Sequence, residues 1–177
     1  MATNLGSCSI TTAIKSVLNK TLDLSTPDDN LSMSLQMKLS DGTGEEAGNQ
    51  MWHDQRTLAL SGSDSLDMYG VLTNFAGETV NFAVIRALIL VNRLLNTSSL
   101  EYGGAASNAW YPMFKNSSDI GVIPLPGSTY PAWICLTAPD ASGFPVGAAS
   151  ADILKIAHGG EASADITYDI ILIGEQA

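Results

Sequence analysis

The longest apolar run in the chain, Thr79 to Leu95, reads TVNFAVIRALILVNRLL and limits the possible folds more than any other stretch. Two periods compete for it. A helix would put Val80, Val84, Ala87, Leu88 and Val91 on one face. A strand would turn Val84, Leu88 and Leu90 one way with Arg86 and Asn92, and Ile85, Ala87, Ile89 and Val91 the other. Val, Ile and Leu dominate, and Asn-rich turns flank the run, so the strand reading is preferred. A strand apolar on both faces belongs in the middle of a sheet. With Arg86 and Arg93 inside it, the run is too short and too charged to span a membrane.

The 177 residues, 45% of them hydrophobic, suffice for a sizeable core without disulfides or metals. Formal net charge is −10, and from Asp119 onward Lys155 stands alone against seven carboxylates. Such a surface repels phosphate backbones, which argues against nucleic acid as a partner. The two cysteines, Cys8 and Cys135, have no metal-ligand spacing and read as small, partly buried thiols. The N-terminus, MATNLGSCSITTAIK, lacks a basic start followed by an apolar core, so folding in a cytoplasm is expected.

Along the chain, Ser9 to Leu24 carries a helical stripe of Ile10, Ile14, Val17 and Leu18, but its Ser and Thr content suits an extended arm or strand. Pro27 to Asn30 reads as a turn. Leu31 to Leu39 alternates strictly, with Leu31, Met33, Leu35, Met37 and Leu39 on one face, and predicts one wet and one buried face. Asp41 to Gln50 reads as a polar, solvated loop. Strands are predicted at 51–60, 65–69 and 98–102, and at 119–126 and 131–138 as a pair joined by Pro126-Gly127-Ser128. Pro139 to Ala149 is expected to be loop. Two more strands, 152–157 and 165–174, are joined around Gly159-Gly160. Nine or ten short strands and no convincing long helix predict an all-β fold, a jelly-roll-like β-sandwich. Leu35, Met37, Leu58, Leu88, Leu90, Ile134, Leu154 and Ile171 are expected to be mostly buried. The domain reading is an N-terminal arm, residues 1–30, and a sandwich, residues 31–177.

Candidates for chemistry are few. His53 adjoins Asp54, but neighbours on a strand point to opposite faces, so Asp54 is poorly placed to orient it. His158, in His-Gly-Gly, reads as a solvated turn residue. Two histidines without a Cys or Glu cluster make a poor metal set. Asp41, Glu45 and Glu46 do not match the twelve-residue calcium loop. The pairs Asp28-Asp29 and Glu45-Glu46 are read as lying in polar loops, unlike the paired carboxylates of a glycosidase. Gly103 to Ala109 lacks the Gly-Lys-Ser/Thr ending of a phosphate loop. Seven aromatics (Trp52, Tyr69, Tyr102, Trp110, Tyr111, Tyr130 and Trp133) could form a sugar platform, though alternation should bury about half. The expectation is a chain that is not an enzyme and needs no cofactor or metal.

Several segments together resemble a family of small virion proteins of tailed bacteriophages and prophages. They are DGTGEEAGNQMWHDQRTLAL, SGSDSLDMYGVLTNFAGETVNFAVIRALILVN, GGAASNAW, IPLPGSTYPAWICLTAPDASGFPV, DILKIAHGG and ITYDIILIG, which together span 41–174. The first forty residues match less well. The resemblance implies a structural protein of the virion, similar to the capsid decoration (cement) proteins that bind the outside of a phage head. It implies the major capsid protein and further copies of the chain, as a homotrimer, as partners, with no nucleic acid and no membrane. Trp110, Tyr111, Met113 and Phe114, beside the small-residue loop, are expected subunit or capsid contacts, as are Ile10 and Ile14 on an arm reaching over the shell. A receptor- or carbohydrate-binding head-fibre or tail module is the alternative.

Overall fold

The computed structural model describes residues 5–177, and every regular element among them is a β-strand. In chain order these are β1 (Ser7–Asn19), β2 (Asp28–Ser40), β3 (Gln50–Leu58), β4 (Ser63–Asp67), β5 (Tyr69–Thr73), β6 (Thr79–Asn92), β7 (Leu100–Gly103), β8 (Ile120–Ile123), β9 (Ala132–Thr137), β10 (Phe144–Pro145), β11 (Ile153–His158) and β12 (Ile166–Gln176). The chain is therefore all-β, as its turn spacing predicts. The first four residues of the expected arm lie outside the described residues.

Two antiparallel sheets enclose one core. The larger has the order β10-β6-β12-β3, with β9 and β5 also pairing with β6; the smaller has the order β4-β11-β7-β8. The apolar run is β6, and it is central: β12 runs beside it from Asn92 to Phe82, while β9, β10 and β5 pair with other parts of it. Its side chains Val80, Phe82, Leu88 and Leu90 face the core, joined by Ile85 where the register shifts against β12, and share it with Leu66, Leu100, Ile123, Leu154 and Ile156 from the smaller sheet. Met68, fully buried, stitches the sheets together. Its N–H donates to the Asp152 carbonyl (2.9 Å) and its carbonyl accepts from the Phe82 N–H (3.0 Å). At Gly174 the β12–β6 register slips, and a Cβ there would lie 2.0 Å from the Val84 carbonyl oxygen, so the close approach requires glycine.

β6 also carries a fully buried arginine. Arg86 donates to the Glu175 carboxylate on β12, to the Asp140 carbonyl, and to the Gly44 (2.8 Å) and Ala141 (3.2 Å) carbonyls. Glu175 in turn accepts from the Gly44 N–H at 2.9 Å. A buried guanidinium is tolerated because a carboxylate and three carbonyls replace the water at its two terminal nitrogens, while Nε has no hydrogen-bond partner. The network ties the 41–49 segment to the body, so this stretch, with Ala47 buried, is not the freely solvated loop its composition suggests.

The structure corrects several local expectations. β8 pairs with β7 and β9 with β6, so the predicted pair is split between the sheets; the Pro126-Gly127-Ser128 segment is a crossing, not a hairpin turn. The 139–149 loop contributes β10 to the larger sheet. His158 ends β11 buried, not solvated. Its Nδ1 accepts from the Gly160 N–H (2.9 Å), which leaves the Nε2 proton for the Ala164 carbonyl (3.0 Å). The expected turn at 27–30 belongs to β2 from Asp28 on. The turn sits earlier, where the Leu22 N–H donates to the Ser25 carbonyl at 2.8 Å. Of the expected core, Leu58, Leu88, Leu90 and Leu154 are buried and Met37, Ile134 and Ile171 are half-buried. Leu35 is 60% exposed, because β2 belongs to neither sheet of the sandwich and pairs only with β1.

Candidate interaction surface

β1 and β2 form a two-stranded hairpin of 13 residues each, in unbroken antiparallel register from Ser7↔Ser40 to Asn19↔Asp28. The sequence dictates its two faces. Successive side chains on a strand alternate, and opposed residues share a face. One face therefore stacks the pairs Cys8/Leu39, Ile10/Met37, Thr12/Leu35, Ile14/Met33 and Ser16/Leu31, and ends at Leu18. The other holds Ser7/Ser40, Ser9/Lys38, Thr11/Gln36, Ala13/Ser34 and Lys15/Ser32, with the Gln36 amide donating to the Ser9 (3.2 Å) and Thr11 (3.3 Å) hydroxyls. The alternation of 31–39 and the arm-or-strand reading of 9–24 thus describe two halves of one amphipathic ribbon. The boundary drawn at residue 30 falls inside β2.

Only the root of the apolar face is covered. Leu39 is buried with Ala87 and Ile173 on the outer face of the larger sheet, and Cys8, Ile10 and Met37 pack around them. Beyond the Ile10/Met37 pair the large side chains Ile14, Leu18, Leu31, Met33 and Leu35 are all exposed. The outer face of the larger sheet mirrors this. Its cross-strand rows are Met51-Ile173-Ala87-Thr137, His53-Ile171-Ile89-Cys135 and Gln55-Asp169-Val91-Trp133. The hairpin root covers Ala87 and Ile173 of the first row, whereas Met51 and Thr137 at its two ends are exposed. In the others Ile89, Val91 and Cys135 are half-buried and Trp133 is 53% exposed. Asp169 borders the stripe, held by Gln55 (2.8 Å) and Arg93 (3.1 Å).

Charge separates the two regions. In residues 5–40, Lys15, Lys20 and Lys38 balance Asp23, Asp28 and Asp29, so the whole formal charge of −10 lies in 41–177.

The residues expected as contacts divide. Trp110 is fully buried: its Nε1–H donates to the Pro145 carbonyl (2.9 Å) and its ring meets Phe144 edge-on at 6.1 Å, so it is a core residue and not a contact. Met113 packs against the core, and Phe114 lies 5.5 Å from Tyr102. Tyr111 is exposed. Ile10 lies at the hairpin root and Ile14 on its uncovered part, so the pair sits on one surface, which the four aromatic-segment residues do not share. The seven aromatics likewise do not form one platform. Trp52 and Trp110 are buried and Tyr102 half-buried, while exposed Tyr69 and Tyr111 lie on segments separate from the exposed pair Tyr130 and Trp133.

Asp54 accepts from Arg56 Nε at 3.0 Å and lies on the opposite side of β3 from His53, which is exposed. His53 and Asp54 border a shallow cleft of about 260 Å³ with Trp52, Thr73 and Phe75. Partial burial raises the pKa of both Cys8 and Cys135, keeping them as free, protonated thiols. Among the described residues no three His, Cys, Asp or Glu side chains are grouped to hold a metal ion, and no helix is long and apolar enough to cross a membrane. Reading the sequence missed Glu161. Its carboxylate accepts from the Ser99 N–H (3.0 Å), the Ser99 hydroxyl (2.5 Å) and the Ser98 hydroxyl, and these bonds pull its pKa from near 4.5 to about 2. The only signal was Ser98-Ser99 before β7, which lies 62 residues away in sequence.

No protein-family model matches the chain, and no curated protein does.

Proposed function

We propose that the chain is a non-enzymatic structural protein of a bacteriophage virion, a capsid decoration (cement) protein that binds the outer surface of the head as a homotrimer. One observation carries the reading: a closed sandwich bears a long amphipathic hairpin whose apolar face is covered only at its root. A two-stranded ribbon is marginal in water unless something covers its apolar side. Contiguous apolar surface of this kind marks a place where protein meets protein. A catalyst would gain nothing from it, whereas a protein that works by adhering to an assembly needs it. The virion resemblance over 41–174 supplies the assembly, and the major capsid protein is the partner it implies.

The test is co-sedimentation of the purified chain with phage heads that lack it. Binding that saturates in multiples of three and raises the temperature at which heads release DNA is the expected result. No binding to heads would remove the reading. Tyr130 and Trp133, both exposed near the start of β9, favour a second reading, a receptor- or carbohydrate-binding module of the virion. Saccharide binding lost on Tyr130→Ala, without head binding, would put that reading first.

A further inference from the structure

We propose that the uncovered half of the hairpin's apolar face, from Leu35 to Leu18, seats on the outer face of the larger sheet of a second copy of this chain, over Ile89, Val91, Trp133 and Cys135. The inference rests on the decoration reading for the number of copies, three, and for nothing else.

Three observations name the occupant. The first is continuity. The root of the same stripe, Cys8/Leu39 and Ile10/Met37, is already docked on the first row of this sheet face. Of the two rows beyond it, Ile171 packs against the root cluster, while Ile89, Val91 and Cys135 are only half-buried and Trp133 is exposed. A chain cannot cover its own rows, because its hairpin is anchored over Ala87 and Ile173 and its distal pairs stand clear of the body.

The second is size. From Thr12 to Leu18 the stripe is about 20 Å long at roughly 3.3 Å per residue, and the four strands from β9 to β3 span about 14 Å at roughly 4.8 Å spacing. The ribbon crosses the sheet with little to spare.

The third is charge. Two bodies that each carry a formal charge of −10 repel each other, whereas the hairpin is neutral and approaches a body without net repulsion. The acceptor rows are themselves quiet, since Arg93 faces Asp169 at their border.

Hairpin on sheet is a head-to-tail contact, which closes into a ring when the rotation permits. Each copy gives one hairpin and receives one, so a ring leaves no stripe bare.

Cys135 lies in the acceptor face and makes the contact testable by cross-linking. In a full-length chain with Cys8→Ser, a Met33→Cys substitution should form disulfides between chains on mild oxidation, giving species at two and three times the 18.6 kDa chain mass. The wild-type chain should sediment near three chain masses without any capsid present. Trp133→Asp should reduce it to one chain mass with an unchanged circular dichroism spectrum. Disulfides confined within single chains, a wild type of one chain mass at high concentration, or an unaltered mass for Trp133→Asp would each overturn the exchange. Head binding is scored separately. A ring that binds no head supports the exchange and removes the decoration reading. A single-chain wild type that binds heads through its hairpin does the reverse and makes the shell the occupant.

Discussion

The hairpin and β6 each line up large apolar side chains on one face, and the molecule treats those faces differently. In β2 the apolar residues Leu31, Met33 and Leu35 occupy every second position and are exposed; in β6 Phe82, Leu88 and Leu90 share the core-facing side and are completely buried. The difference lies in what faces them. β6 has a second sheet across the core from it, whereas β1 and β2 beyond their root have only each other. Alternation sorts side chains onto faces, and burial needs a second layer. A face sorted this cleanly but left without a layer inside its own chain stays exposed.

Charge sharpens the comparison and gives the largest expected effect. The body holds Arg86 at its centre, while the hairpin's lysines are all exposed. Arg86→Met should cost about 3–5 kcal/mol, because Glu175 is left nearly buried without its partner. Urea unfolding of the single variant and of Arg86→Met/Glu175→Met checks this, since the double variant should recover part of the loss. An equal loss in both would move the cost to the carbonyls that Arg86 bridges.

Matched truncations come next. Leu88→Ala, in the core, should lose about 2–5 kcal/mol. Leu35→Ala, measured at a dilution where the chain is single, should stay within about 0.5 kcal/mol of the wild type. The comparison breaks if Leu35→Ala destabilises the single chain as much as Leu88→Ala does, for the stripe would then be covered within its own chain.

The smallest effect is a pH dependence that only the body should show. Glu161 has its pKa lowered from near 4.5 to about 2 by the Ser98 and Ser99 hydrogen bonds. A lowered folded-state pKa stabilises the ionised form, so the contribution is full above the unfolded value and is lost as pH falls from about 4.5 through about 2. The advantage of wild type over Glu161→Gln should therefore be constant above pH 5 and shrink below 4.5 in thermal melts. A difference that does not vary between pH 6 and pH 2 would show that these bonds do not favour the carboxylate.

The amino-acid sequence by itself determined what is local. Period-two stretches give strands at 31–39 and 79–92. Asn74 and Gly77 make the turn before β6, where the Ala76 N–H bonds the Asn74 side chain at 2.9 Å. The alternation that separates His53 from Asp54 was legible for the same reason, since each of these follows from residues a few places apart. Tertiary structure alone decided everything that depends on distant partners. It chose Trp110 for the core and Leu35 for the surface, split β8 from β9 and buried His158 in the turn it holds. It also joined Arg86 to Glu175 across 89 positions. The physical reason is that a strand's pattern says which side chains share a face, while their exposure is set by which other strand packs there.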